Sequence, residues 1–106
     1  GNQKVLREYE ETKEELKNIV TQNLAFRFAY INKISKSDSL VKKVLDVWLS
    51  SFRKALLGEK IEGEISTYKH SQREIYEIIK KIVKTKNLLK LSVNLKLALE
   101  NLVLMF

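Results

Sequence analysis

Residues 94–106, Asn-Leu-Lys-Leu-Ala-Leu-Glu-Asn-Leu-Val-Leu-Met-Phe, constrain the fold more than any other stretch. Their spacing predicts one helix that is apolar over most of its circumference. Leu95, Ala98, Leu99, Leu102 and Met105 form one stripe, and Leu97 and Leu104 lie on a second flank. Lys96 and Glu100, four apart, share a narrow polar strip. A helix with so little polar surface must be sheathed by other elements. Asn94 is placed to cap it, because its side-chain oxygen can accept from the amides of the first turn.

The remaining chain supplies the sheath. Val5, Tyr9, Thr12, Leu16, Ile19 and Val20 recur at helical spacing from Gln3 to about Asn23, opposite a mixed-charge face. Leu24 to Ile34 continues helically, either past a kink or after a break near Asn23, and its Ala25 and Ala29 would admit a close neighbour. The segment 35–39, rich in serine, is a loop, with Ser37 or Asp38 as the next cap. A third helix runs to about Leu57 with Val41, Val44, Leu45, Trp48, Phe52 and Leu56 inward. Gly58 ends it in left-handed geometry. Trp48 is the largest core candidate, and its indole N–H calls for a partner if buried. Residues 58–66 read as a linker. A fourth helix starts near Ser66 or Ser71 and carries Ile75, Ile78, Ile79 and Ile82. No strand pattern occurs, since valine and isoleucine fall at helical rather than alternate positions. The expected fold is all-α, a compact bundle of four to five helices around a largely buried C-terminal helix, forming one domain over 1–106.

With 106 residues there is room for one modest core. Cysteine is absent, which excludes disulfides and thiolate metal sites. No membrane span or secretory signal is visible, so a cytoplasmic setting is expected. Gly1, in the place of an initiator Met, suggests an excised piece of a longer chain.

Chemistry is hard to place on this sequence. The single histidine, His70, is expected on the surface and cannot form a zinc site alone. There is no glycine-rich phosphate loop. Glu10, Glu11, Glu14 and Glu15 sit among lysines, as on a solvated face. No catalytic residue, cofactor, metal or small-molecule substrate is expected. The net charge of +7 is the stronger signal. Lys80, Lys81, Lys84, Lys86, Lys90 and Lys96 face only Glu100 beyond residue 80, and Arg27, Lys33, Lys36, Lys42, Lys43, Arg53 and Lys54 add a second excess. Lys80, Lys81 and Lys84 are the candidate weak nucleic-acid surface. The scarcity of arginine and interleaved aromatics points away from base readout and towards plain solubility.

The closing stretch also resembles a known family. Asn94, Lys96, Leu97, Ala98, Leu99, Glu100, Asn101, Leu102 and Leu104 match the end of the delta-prime subunit of bacterial DNA polymerase III, the clamp loader. Leu95 departs from it, because the family has proline there, a residue suited to a helix start. The resemblance implies a C-terminal collar domain that does no chemistry. Such a domain joins sibling subunits into a ring that loads the sliding clamp on primed DNA, within an accessory subunit of the DNA polymerase III holoenzyme. Leu97, Leu104 and Phe106 are the candidate subunit interface, and contact with DNA would be indirect or weak. The alternative is an autonomous basic helical module that binds nucleic acid non-specifically.

Overall fold

The computed structural model describes residues 2–58, 70–91 and 94–106. The expected linker, apart from Gly58, the alternative start at Ser66 and the corner at 92–93 lie outside them. Among the described residues the chain is all-α: α1 (Asn2–Thr21), α2 (Leu24–Ile34), α3 (Asp38–Leu56), α4 (Gln72–Leu88) followed by a 3₁₀ turn (Leu89–Leu91), and α5 (Leu95–Val103), with no strand.

The helix limits follow from local chemistry. Asn23 is a true break rather than a kink. Its backbone is extended, and its side chain accepts from the Phe26 N–H at 3.0 Å. Ser37, not Asp38, caps α3 by accepting from the Leu40 N–H. Ser71 opens α4 with a reciprocal cap. The Glu74 N–H donates to the Ser71 hydroxyl at 3.1 Å, and the Ser71 N–H donates to the Glu74 carboxylate at 3.2 Å. Asn94 caps α5 through the Leu97 N–H. Gly58 follows α3 with φ of +75°, a conformation that costs glycine nothing.

The helices close a ring in the order α1–α2–α5–α4–α3, each packed on two neighbours. Leu16 and Ile19 of α1, Ile31 of α2, Val41, Leu45, Trp48 and Phe52 of α3, Ile75, Ile78 and Ile82 of α4, and Leu99 and Leu102 of α5 meet at its centre. Lys86 of α4 pairs with Asp46 of α3, Lys43 of α3 with Glu8 of α1 at 3.8 Å, and Lys33 of α2 with Glu15 of α1 at 3.8 Å, so three seams also carry a surface ion pair.

Phe106 is an inner residue, which corrects its expected place at a subunit interface. It lies 5.0 Å from Trp48, edge to face, and 5.1 Å from Phe52, and it is 2% exposed. The chain turns after Val103, where the Met105 N–H donates to the Leu102 carbonyl and the Phe106 N–H to the Val103 carbonyl, each at 3.1 Å, and the Phe106 ring packs back into the core. Such ring pairs contribute about 0.5–1.5 kcal/mol each beyond the area they bury. Trp48 meets only packing. Its Nε1–H has no acceptor among the described residues, contrary to expectation. The ring contacts and full burial of the indole hold it.

Three further expectations change. Val5 is 66% exposed, because the first turns of α1 run past the body before Leu16 engages the core. His70 is buried just ahead of the Ser71 cap rather than on the surface. Arg27, counted among surface cations, is buried as well.

Candidate interaction surface

Arg27 fixes the geometry of the face most open to partners. The last carbonyls of any helix lack amide donors within the helix, and the helix dipole makes that end negative. Arg27, in the first turn of α2, serves two such ends. Its Nε donates to the Ile19 carbonyl at 2.8 Å and its Nη2 to the Val20 carbonyl at 3.2 Å, near the end of α1. Its Nη1 donates to the Val103 carbonyl at 3.0 Å, the last residue of α5. The buried charge is therefore balanced by two helix termini rather than by a carboxylate. The end of α5 is thereby tied to the start of α2.

This clamp sets side by side two helices whose outer faces are apolar. Ile31, Ile34, Tyr30 and Arg27 take the inner face of α2, which turns Ala25 and Ala29, four apart, to solvent. Leu24 is 47% exposed on the flank towards α5, and Phe26 is 42% exposed on the opposite flank. Phe26 and Ala29 also wall an open groove of about 270 Å³ with Glu15, Asn18, Tyr30 and Lys33. On α5, Leu99, Leu102 and Val103 are buried, and the opposite stripe is Leu97, Asn101 and Leu104 at positions i, i+4 and i+7. Leu97 is 54% and Leu104 53% exposed. Leu104 and Leu24 lie at the same end of the helix pair, because Arg27 and Val103 meet there. The last helix is thus sheathed on one side only.

The cations separate into distinct groups. On α4 the residues turned from the core are Arg73, Glu77, Lys80 and Lys84, again at helical spacing, with Tyr76 and Val83 beside them. Lys80 pairs with Glu77 at 3.1 Å and lies 5.0 Å above the Tyr76 ring. Lys81 is half-buried on the flank of this row. Lys86 is drawn to Asp46 on α3. Lys96 is exposed on α5, away from the α4 row. The lysine excess read as one surface is therefore a short row on α4 with scattered companions.

Among the described residues, Tyr30 and Glu74 are shifted from their ordinary values. Burial first, then the neighbouring Glu15 carboxylate and its hydrogen bond from the phenol, push the Tyr30 hydroxyl above its ordinary value. The Ser71 backbone amide and then its hydroxyl hold the exposed Glu74 carboxyl below its ordinary value. No group of three or more His, Cys, Asp or Glu side chains placed to hold a metal occurs among the described residues. No described helix is long and apolar enough to cross a membrane.

The apolar α2 contribution lay beyond sequence reasoning for α5 alone. The Ala25–Ala29 pair was its only visible signal. Comparison with protein-family models, curated proteins and solved structures gives no match.

Proposed function

We propose that this chain is an assembly domain that docks on neighbouring helical subunits through the joined outer faces of α2 and α5. The observation that carries it is the half-exposed stripe Leu97–Leu104, set beside Leu24, Ala25 and Ala29. Contiguous apolar surface of this kind marks contact sites. The resemblance of residues 94–104 to the delta-prime clamp-loader subunit supports a specific form of the proposal. In that form the domain is a collar that joins sibling subunits in a ring during DNA replication.

The energetics favour a many-membered assembly over a simple pair. Burying a whole leucine or phenylalanine gains about 1.5–3 kcal/mol, so completing the half-burial of Leu24, Phe26, Leu97 and Leu104 gains roughly 3–6 kcal/mol. That gain corresponds to about millimolar affinity before association costs are met. Several such contacts acting together in a ring would hold where one fails.

The test is co-expression with the clamp-loader subunits of the same source, followed by size-exclusion chromatography. The chain is expected to co-elute with them. Leu97→Glu with Leu104→Glu is expected to release it, whereas Leu57→Glu, at a position 75% exposed beyond α3, is expected to leave co-elution intact. No co-elution of the unaltered chain, or co-elution that survives the α5 double substitution, refutes the proposal.

A further inference from the structure

The outer row of α4 carries a different signature from the α2–α5 surface. We infer that Arg73, Lys80 and Lys84, flanked by Lys81, form a contact strip for the phosphate backbone of double-stranded nucleic acid. No acid occurs in the sequence between Glu77 and Glu100. Lys81 and Lys84 have no ion pair among the described residues, and Lys80, its side chain 53% exposed, is held by exposed Glu77 and the face of Tyr76. Such surface pairs are worth little and exchange readily for another anion.

The strip is straight and rigid. Arg73 and Lys84 are eleven positions apart on one helix, a rise of about 16 Å. A duplex carries one charge per about 1.7 Å along its axis, so several phosphates pass beneath such a span. The only aromatic ring in the row, Tyr76, has its face occupied by the Lys80 ammonium. Base stacking, the mark of single-strand binders, is thus disfavoured, and lysine gives point charges without the fork that reads base edges. The strip therefore suits the backbone of a duplex, without sequence preference. The regular charge spacing of that rod favours it over an acidic polypeptide, whose charges are unevenly placed.

The experiment is fluorescence anisotropy of a labelled short DNA duplex with the unaltered chain. Three to four phosphate contacts predict an affinity loss of roughly 40- to 150-fold between about 50 and 200 mM salt. Lys80→Ala, Lys81→Ala and Lys84→Ala together are expected to weaken binding at about 50 mM salt by roughly 100-fold or more. Lys17→Ala, Lys36→Ala and Lys42→Ala, which remove equal charge from exposed positions elsewhere, are expected to change it little. Circular dichroism verifies that both triple variants fold, and the salt dependence of the unaltered chain stands independently of either. The inference is overturned by an absence of binding at low salt or by equal losses in the two triples. It is also overturned if polyglutamate competes as well as duplex per charge, or if single-stranded DNA binds more tightly than duplex.

Discussion

Replacing Arg27 by methionine keeps the aliphatic stem and removes the guanidinium that serves Ile19, Val20 and Val103. Hydrogen bonds from charged donors contribute about 1.5–3 kcal/mol each, net of desolvation. The three share one side chain and do not add in full, and the Val103 carbonyl keeps its bond from the Phe106 N–H. The expected destabilisation is about 3 kcal/mol, a large part of the 5–15 kcal/mol that holds a typical domain. At about 4–8 °C per kcal/mol, the melting temperature falls by roughly 12–24 °C. Arg27→Lys is expected to recover about a third of the loss, since one ammonium has no fork to span carbonyls on two helices. Urea unfolding followed by Trp48 fluorescence and by circular dichroism measures both variants. If Arg27→Met loses less than about 1 kcal/mol, or Arg27→Lys behaves as the unaltered protein, the carbonyls do not depend on this residue and the clamp is refuted.

Phe106→Ala opens a cavity beside Trp48 and Phe52 and is expected to cost about 3 kcal/mol, with a red shift in tryptophan emission as water reaches the indole. Because the Tyr30 hydroxyl is raised, its contribution to stability is intact below the ordinary tyrosine value and is lost as pH rises beyond it. Ultraviolet titration should find one tyrosine that ionises late, absent from Tyr30→Phe. The Glu74 carboxyl is lowered, so its cap contributes above the ordinary carboxylate value and fades as pH falls through the lowered one. Ser71→Ala should lower helicity at neutral pH and flatten its acid dependence, measured by circular dichroism.

Much of the fold was legible because it is written in local chemistry. The caps at Ser37, Ser71 and Asn94, the stop at Gly58, and the inward stripes through Trp48, Ile78 and Leu99 all depend on residues within one or two turns of each other. What escaped depends on distant groups. Arg27 looks like a surface cation until two helix ends, eight and seventy-six positions away, are brought to it. Phe106 follows an apolar stripe whose continuation is as consistent with exposure as with burial. Only the turn after Val103 decides between them. The lysine run could be counted but not divided, because the division depends on Asp46 reaching Lys86 from another helix. Of the candidate site, Leu97 and Leu104 were visible as a flank of α5. Their junction with α2 needed the packing itself.

The guanidinium at position 27 joins segments that lie seventy-six positions apart, so the ribosome delivers one well before the other. While a ribosome is still adding α5, α1 and α2 can touch, yet one arm of the fork has no oxygen to grip, and the space beside Trp48 waits for its last ring. Closure over such a sequence separation is slow compared with helix growth. This part of the nascent chain should therefore stay open and protease-sensitive until α5 has cleared the exit tunnel, and then lock as a unit.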